Sequence, residues 1–339
     1  KICGDAINGY VPKLLERLAP EYKDALTAFQ PKSNIKSCKL FSPDFHALSL
    51  DFTHHGYCAT RLDFDNFLFD LANSNQDADF FQGQKVLDLI RLGNSWLLKT
   101  SQQTIEAKIV VGADGAHSVV AKQWAGFKVD YQHYSGAVRA YYRNLKNCQP
   151  ETLEVFFPKG FLPGYFWIFP TNQTDFNVGF GMLSKTISER KINLQKSFWQ
   201  IIEQNPEISN RFEGAELLDK PRGFGLPLAS KKQQLSGEGF LLTGDAASLV
   251  DPFTGEGIGN AMFSAEIAAK HIVECFEKQD FGEAQMKLYD QKIYAKFWSD
   301  MRMSYWAQRL VSDRVLLLNW GIKLANRSSF IKKWLNRVI

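Results

Sequence analysis

The sequence predicts an α/β protein that combines an open α/β domain, discontinuous along the chain, with an antiparallel β-sheet domain and C-terminal helices. Three observations predict this class. Residues 108–111 and 239–243 are bulky apolar runs that lead through glycine and aspartate into helical patterns, as strands of an open α/β sheet do. Residues 134–182 contain aromatic and β-branched runs separated by turn signals. Nearly everything after Glu256 has helical periodicity.

The N-terminal part of the chain predicts helices followed by short strands. Residues 10–29 have a helical pattern that is broken at Pro20. Asp63 is expected to cap a second helix, whose apolar face is formed by Phe64, Phe67, Leu68 and Leu71. Short strands are then expected at residues 84–90, 95–100 and 108–111.

The second half of the chain continues the pattern. The runs within residues 134–182 predict an antiparallel sheet, and residues 187–208 return to a helical pattern. Residues 239–243 then form a buried strand ahead of the C-terminal helices. The chain of 339 residues, 45% of them hydrophobic, is long enough for two domains.

Cysteine use and apolar runs limit the class of protein further. The cysteines are scattered and contain no C-x-x-C pair, which argues against a disulfide framework and predicts a reducing compartment: Cys3, Cys38, Cys58, Cys148 and Cys275. No apolar run reaches the roughly 20 uncharged residues of a membrane span, so we predict a cytoplasmic protein. Motifs for metal, serine-hydrolase or NTPase chemistry are not found in the sequence.

The charge of the chain is concentrated at its C-terminal end. The formal net charge is +4, yet residues 296–339 hold nine Lys or Arg and two Asp, so this tail carries +7 and the rest of the chain −3. Basic residues alternate there with aromatic and aliphatic ones, a pattern typical of helices on anionic membrane surfaces. The alternative is that the apolar face packs on the protein. We expect a peripheral position on the inner face of the membrane and no nucleic-acid partner.

The segment from Gly239 to Gly259 carries the strongest chemical signal. A strand ends in Gly244 and Asp245, where a carboxylate at the tip of a strand can accept hydrogen bonds from a polyol. Pro252 and three spaced glycines (Gly255, Gly257 and Gly259) then open a long helix, and glycines let the backbone approach a flat ring. A helix N-terminus carries about half a positive charge, which suits the electron-rich edge of a reduced flavin. The segment therefore predicts a flavin site, against the alternative of an ordinary glycine-rich turn.

A second segment, residues 108–120, has the same organisation. A buried strand leads to Asp114 and Gly115, which form a tight turn near the expected phosphate region, and Ser118 can start the helix that follows. Together with the Gly-Asp segment about 130 residues later, this arrangement resembles the flavoprotein hydroxylase superfamily typified by p-hydroxybenzoate hydroxylase.

Within that superfamily the chain most resembles the geranylgeranyl reductases. The matching segments are Lys1-Ile-Cys-Gly4, Arg61 with Leu68, Tyr165-Phe-Trp-Ile-Phe-Pro170 and Gly244-Asp-Ala-Ala247. The resemblance implies FAD as cofactor, with Cys3 and Gly4 against the ring and with Arg61 and Asp245 binding FAD. It also implies that the backbone at Val86 meets the adenine and that Gly257 and Ile258 touch the pyrimidine edge. For Arg61, a solvated arginine at a helix start is the alternative.

The chain departs from this family at its start. The family begins with a strand, a G-x-G-x-x-G loop and an acidic residue for the ribose, and none of these precedes Lys1. We therefore expect the sequence to be the remainder of a longer flavoprotein. On this basis the FAD-binding Rossmann-like domain comprises residues 1–9, 55–130 and 229–285, the substrate domain residues 10–54 and 131–228, and the C-terminal helical region residues 286–339.

The predicted function is the reduction of carbon–carbon double bonds in an isoprenoid or related lipid. Tyr165, Trp167 and Phe169 alternate on one strand face and are expected to line the substrate, although core packing would give the same pattern. Cys3 and Tyr165 are the candidates for the proton donor. A nicotinamide, a ferredoxin and a quinol remain open as the electron donor. The alternatives are a hydroxylase or halogenase, which requires oxygen, and a non-enzymatic lipid-binding protein, which has no flavin chromophore.

Overall fold

The computed structural model describes residues 2–74, 77–311, 314–328 and 332. It divides into two compact units, which are described separately. Unit 1 comprises residues 1–74, 134–225 and 308–339, and unit 2 comprises residues 75–133 and 226–307.

Strands and helices are numbered in chain order. The strands are β1 (Ala6–Ile7), β2 (Ser33–Phe41), β3 (Ala47–Cys58), β4 (Val86–Leu92), β5 (Ser95–Thr100), β6 (Thr104–Ala107), β7 (Val110–Gly112), β8 (Tyr134–Arg143), β9 (Thr152–Phe156), β10 (Tyr165–Pro170), β11 (Asp175–Leu183), β12 (Glu216–Leu217), β13 (Arg222–Pro227), β14 (Ser236–Gly237) and β15 (Phe240–Leu242). The helices are α1 (Val11–Leu18), α2 (Pro20–Ala28), α3 (Arg61–Asn73), α4 (Val119–Trp124), α5 (Ser184–Glu189), α6 (Leu194–Gln204), α7 (Pro206–Ser209), α8 (Ile258–Lys278), α9 (Glu283–Val311) and α10 (Val315–Arg327).

Unit 1 is built on a nine-stranded sheet in the order β1-β3-β2-β9-β10-β11-β8-β12, with β13 also paired to β8. The pairs among β8 to β11 are antiparallel, which confirms the sheet predicted for residues 134–182. The sheet extends through a parallel β2–β9 pair to β2 and β3, which the sequence did not predict as strands. Polar residues alternate with buried ones along β2, so this strand has no continuous apolar run.

The two faces of this sheet differ because side chains alternate along each strand. One face carries the large core of unit 1, where strand residues such as Phe166, Val178 and Phe180 pack with Phe198 and Ile201 of α6. The alternate residues of the same strands lie on the opposite face, and they include Trp167, Asn177 and Tyr141. The sheet therefore leaves its second face for a polar and aromatic site.

Two helix predictions in unit 1 need correction. Asp63 is not the cap of its helix: Thr60 is, because its Oγ1 accepts the N–H of Asp63 at 3.3 Å, and Asp63 lies in the first turn. Residues 187–208 are not one helix but parts of α5, α6 and α7. Lys191 has a left-handed φ of 51° between the first two. Pro206 keeps Asn205 extended before the third.

Unit 2 contains a parallel β15–β7 pair flanked by β14, and a separate antiparallel sheet of β4, β5 and β6. These strands confirm those predicted from the sequence within residues 84–111 and 239–243. Trp96, Leu241, Met286 and Ile293 lie in its core. Tyr289 of α9 joins helix to strand by donating a hydrogen bond to the carbonyl of Leu242 at 2.6 Å.

The C-terminal helices confirm the helical pattern predicted after Glu256 and complete the α/β class. In unit 1, α10 packs Ile322 and Ala325 against Leu48 and Leu50 of β3. Within the part of the chain that the structure describes, none of the helices is both long and apolar enough to cross a membrane.

Candidate cofactor and substrate site

In unit 2, two predicted site segments follow neighbouring parallel strands. Leu242 of β15 pairs with Gly112 of β7, and the N–H of Thr243 donates to the carbonyl of Gly112 at 3.0 Å. Gly244 and Asp245 therefore lie at the same sheet edge as the turn that follows β7. Ligands of open α/β sheets bind at this carboxyl edge.

Asp245 is buried, with 7% of its surface exposed, in a 3-10 helix over Gly244–Ala247. The N–H of Gly244 donates to Ser264 Oγ of α8 at 3.0 Å, which ties this turn to the long helix. A methyl group at Gly257 would lie 3.4 Å from Asp245 Oδ1. The glycine thus leaves space beside the carboxylate for a ligand hydroxyl group.

The loop between Asp251 and Gly257 is held by its own polar groups. Asp251 Oδ1 accepts the N–H groups of Phe253 and Thr254, each at 2.8 Å, and the N–H of Asp251 donates to Glu256 at 2.8 Å. Gly255 has a φ of 76°, which a residue with a side chain rarely adopts. The Asp251 carboxylate therefore shapes the loop, which also contains the buried Pro252.

This loop leads directly into α8, whose N-cap position is a glycine. Gly257 is the N-cap and has no side chain with which to cap the helix. The backbone N–H groups of the first turn and the helix dipole suit an electron-rich ligand edge. Gly257 and Ile258 begin α8 beside Asp245, and the chemistry of these groups suits a flavin ring and ribityl chain.

Asp114, Gly115 and Val86 take other positions in unit 2. Asp114 is exposed and accepts the N–H of Val119 at 2.7 Å, so its carboxylate organises the start of α4. Gly115 has a φ of 78° and completes the turn, and Ser118 caps α4 as predicted by accepting the N–H of Ala121. Val86 begins β4 in the separate antiparallel sheet. The structure does not bring Val86 into the β7–β15 edge.

In unit 1, Tyr165, Trp167 and Phe169 share one face of β10 as predicted, and their rings follow one another at about 6 Å. Trp167 lies flat over β11, because a methyl group at the paired Gly179 would overlap its ring. Gly179 is a site residue that sequence reasoning missed. The sequence signal that could have revealed it is the Gly-x-Gly pattern inside a strand, because glycine in a strand often marks a place where another group packs closely on the backbone.

Cys3, Gly4 and Arg61 gather near this aromatic wall. A methyl group at Gly4 would lie 3.4 Å from the Phe169 ring and 3.7 Å from Trp167 Nε1. Arg61 pairs with Asp65 through two hydrogen bonds of 2.7 and 2.8 Å and lies within hydrogen-bonding reach of the Cys3 thiol. The Arg61 side chain is 15% exposed, so it is mostly buried at the start of α3. The structure thus joins Cys3, Gly4 and Arg61 to the predicted substrate wall within unit 1.

A polar cluster beside Cys3 was also missed by sequence reasoning. Asp5 is fully buried and its Oδ2 accepts hydrogen bonds from Tyr141 Oη and Asn177 Nδ2, both at 2.7 Å. Burial raises the pKa of Asp5 from 3.8 to about 6, and burial together with the nearby Asp5 raises the pKa of Tyr141. The one signal in the sequence was a polar Asn177 inside the apolar run from Phe176 to Leu183.

Comparison with known proteins finds a family match for the part of the sheet that carries the aromatic wall of Tyr165, Trp167 and Phe169. Residues 134–214, from β8 to the turn after α7, match the family model described as the geranylgeranyl reductase catalytic domain. The chain is also 28% identical over 212 residues to the digeranylgeranylglycerophospholipid reductase of Methanocella arvoryzae. The chain is therefore similar to the geranylgeranyl reductases over this region. This finding confirms the resemblance drawn from the sequence motifs.

The geranylgeranyl reductase relatives are longer than the matched region. The alignment with the Methanocella protein covers 62% of this chain and 51% of that relative, so the chain spans about half the length of the relative. All three aromatic residues of the wall, together with Tyr141 and Asn177, lie inside the region matched by the family model.

Solved structures show that the fold is shared. A geranylgeranyl bacteriochlorophyll reductase-like protein from Thermoplasma acidophilum superposes with a TM-score of 0.80 at 23% identity, covering 100% of this chain and 89% of that one. The flavin-dependent brominase Bmp2 superposes with a TM-score of 0.79 at 16% identity, covering 99% and 83%. The α/β class predicted from the sequence is therefore confirmed.

Proposed function

We propose that the full-length protein is an FAD-dependent oxidoreductase that reduces carbon–carbon double bonds of an isoprenoid lipid. The observation that carries the proposal is the buried Asp245 beside Gly257, at the carboxyl edge of two parallel strands and next to the start of α8. The family-model match over residues 134–214 and the names of the reductase relatives support the substrate class. Bound FAD in its reduced form supplies a hydride.

The residues of this chain have separate tasks under this proposal. In unit 2, Asp245 accepts hydrogen bonds from the ribityl chain, and the first turn of α8 with Gly257 and Ile258 stabilises negative charge at the ring. Gly244, Pro252 and Gly255 shape the backbone around it, and Asp114, Gly115 and Val86 remain proposed contacts to the phosphate and adenine parts.

In unit 1, the proposed tasks concern the substrate and the ring. Cys3, Gly4 and Arg61 remain proposed contacts to FAD, and Cys3 also remains a proposed candidate for the proton donor. Tyr165, Trp167 and Phe169 form an apolar wall for the isoprenoid chain, because aromatic side chains exclude water over a large area. Tyr165 and Phe169 are partly exposed at either end of this row, and its length along β10 suits an extended hydrocarbon.

The experiment is an anaerobic reduction assay with the purified full-length protein. The protein is reduced with dithionite and supplied with digeranylgeranylglyceryl phospholipid in detergent, and the lipid is analysed by mass spectrometry. We expect a gain of two hydrogens for each reduced double bond. Product that forms only with oxygen would instead indicate a hydroxylase or halogenase, and a protein without flavin absorbance would indicate a lipid-binding role. Reduction by a nicotinamide, a ferredoxin or a quinol then identifies the electron donor.

We also propose that α10 places the protein on an anionic membrane surface. Its buried face is used against β3, while Leu316 and Trp320 are 83% and 63% exposed on the helix. The exposed basic residues Arg314, Lys323 and Arg327 lie on the same short segment. Exposed apolar side chains together with basic ones suit a surface of anionic lipid, where a lipid substrate resides.

The remaining tail residues of the sequence-based membrane prediction lie outside the described residues, apart from Lys332. They are Phe330, Ile331, Lys333, Trp334, Leu335, Arg337, Val338 and Ile339.

A further inference from the structure

Asp5 holds a buried carboxyl group that the proposed tasks above do not use. Its Oδ2 accepts hydrogen bonds from Tyr141 and Asn177, and its Oδ1 has no hydrogen-bond partner among the described residues. Burying a charged carboxylate without full compensation is costly, so such a group holds its proton more tightly than an exposed aspartate. Asp5 itself has a left-handed φ of 68°, a backbone conformation that residues with a side chain rarely adopt.

The cluster is joined directly to the aromatic wall. Asn177 pairs with Phe169 on one side and with Tyr141 on the other, so these three side chains stand in one row on the same sheet face. Trp167 Nε1 donates to Asn177 Oδ1 at 2.9 Å, and Asn177 Nδ2 also donates to the carbonyl of Cys3 at 2.7 Å. The Asn177 amide is therefore fixed between the wall and the Asp5 carboxyl.

The charged groups around Asp5 are already paired. Arg139 stacks on the Tyr141 ring at 4.0 Å and forms a salt bridge of 2.5 Å with Asp219. Arg61 pairs with Asp65. The other titratable neighbours are the thiols of Cys3 and Cys58, and burial raises the pKa of Cys58 well above its usual range. Both arginines favour ionised Asp5 through their charge, but burial outweighs them and the pKa of Asp5 is raised.

We propose that Asp5 and Tyr141 form a proton relay that supplies the second hydrogen in the reduction of the substrate double bond at this wall. The inference rests on the proposed function. One alkene carbon receives a hydride, and the π electrons move to the other carbon. For this step the Tyr141 hydroxyl turns from Asp5 Oδ2 to the substrate and gives its proton to that carbon, which forms the new C–H bond. A proton held on Asp5 Oδ2 moves at the same time to the Tyr141 oxygen. A proton from solvent then returns to Asp5 before the next turnover.

The kinetic test compares Asp5→Asn and Tyr141→Phe with wild type in the anaerobic assay with digeranylgeranylglyceryl phospholipid. We expect each variant to lower kcat at least about tenfold with KM unchanged, because positioned proton donors contribute about 10²-fold or more. Tyr142→Phe is the control, since Tyr142 is the next residue on β8 and its side chain lies in the core of the opposite face. It should keep the wild-type rate.

The pH dependence separates a relay from a structural role. A relay needs protonated Asp5, whose pKa is about 6, so wild-type kcat should be constant below this pH and fall as the pH rises through it. Asp5→Asn should lose this fall. If Asp5→Asn does not fold, Tyr141→Phe still carries the kinetic test.

Infrared difference spectroscopy gives a readout that does not depend on turnover. The C=O band of a protonated carboxyl group should disappear as the pH is raised through about 6 in wild type and be absent from Asp5→Asn. Wild-type protein that hydrogenates the lipid while both variants keep its rate and pH profile overturns the relay alone. Wild-type protein that does not hydrogenate the lipid at all overturns the proposed function. An Asp5 that is ionised throughout the titration also overturns the relay.

Discussion

At the scale of single residues, Asp5 couples protein stability to pH. Its pKa is raised from 3.8 to about 6 in the folded protein, so the folded state binds the proton more tightly than the unfolded state. The stabilisation from this protonation is full below the unfolded pKa and is lost as the pH rises through about 6. Because Asp5 is fully buried, the whole shift contributes to folding, about 3 kcal/mol at most.

We therefore expect wild type to gain stability relative to Asp5→Asn as the pH falls from about 7 to about 4, measured by urea unfolding at each pH. Asp175→Asn is an opposite-sign control, because a hydrogen bond from Arg143 lowers the pKa of Asp175. Stability that depends on Asp175 is present at higher pH and lost as the pH falls. Parallel pH profiles for wild type and Asp5→Asn would contradict the assignment of a raised pKa to Asp5.

Asp245 is the residue on which flavin binding is expected to depend most. A hydrogen bond to a charged acceptor contributes about 1.5 to 3 kcal/mol, so Asp245→Ala should weaken FAD binding at least about tenfold. Flavin fluorescence titration of the full-length protein measures this. Asp130→Ala removes an equal charge from unit 2 at an exposed pair with Lys231 and should leave FAD affinity unchanged. Equal affinity of Asp245→Ala and wild type would remove Asp245 from the site.

At the scale of elements, β11 needs a glycine at position 179, because the Trp167 ring lies across the strand there. A methyl group at Gly179 would overlap the indole ring, so Gly179→Ala forces Trp167 to move. Overpacking of this kind costs about 1 to 3 kcal/mol. The displaced ring should also raise the KM for the lipid substrate.

Gly223→Ala in β13 is the matched control for this variant. A methyl group there would lie 3.5 Å from its nearest neighbour, which is ordinary contact. Thermal unfolding and the lipid KM should therefore match wild type for Gly223→Ala and differ for Gly179→Ala. If both variants have the unfolding temperature and lipid KM of wild type, the Trp167 indole does not lie on β11 at Gly179.

At the scale of the whole molecule, the proposed membrane position depends on α10. We expect the protein to co-sediment with liposomes that contain anionic lipid, less so at high salt, because surface charges are screened over about 8 Å at physiological ionic strength. Replacing Lys323 and Arg327 with Gln should weaken this binding without unfolding, since both side chains are exposed.

The charge-matched control replaces Lys159 and Lys220, two exposed lysines of unit 1, with Gln. It should bind liposomes as wild type does. A second variant, Leu316→Ser with Trp320→Ser, tests the apolar contribution of the same helix. Wild-type protein that ignores anionic liposomes even at low salt would show that the exposed face of α10 serves another purpose.

The sequence by itself determined the features that depend on local chemistry. The strands that end at Gly112 and Leu242, the turn at Gly115 and the start of α8 at Gly257 could all be predicted, because apolar runs, positive φ angles and helix periodicity are written in consecutive residues. The same is true of the aromatic row on β10, where alternation places Tyr165, Trp167 and Phe169 on one face.

Prediction from neighbouring residues failed in two places. At the start of α3 two residues could each act as the N-cap, and in β2 polar residues interrupted the apolar pattern of the strand. Thr60 and Asp63 are both good capping residues, and only the backbone geometry decided that Thr60 is the cap. Strand β2 was missed because its polar residues face away from the core and interrupt the apolar pattern.

Only the tertiary structure decided the cluster around Asp5. Asp5 is 136 positions from Tyr141 and 172 from Asn177, and the three meet because the register of β8 against β11 sets Tyr141 opposite Asn177. Hydrogen bonds between groups so far apart in sequence leave no periodic signal in the chain. The burial that raises the pKa of Asp5 likewise arises only when the sheet has formed around it, so the proton relay belongs to the fold and not to any segment of the sequence.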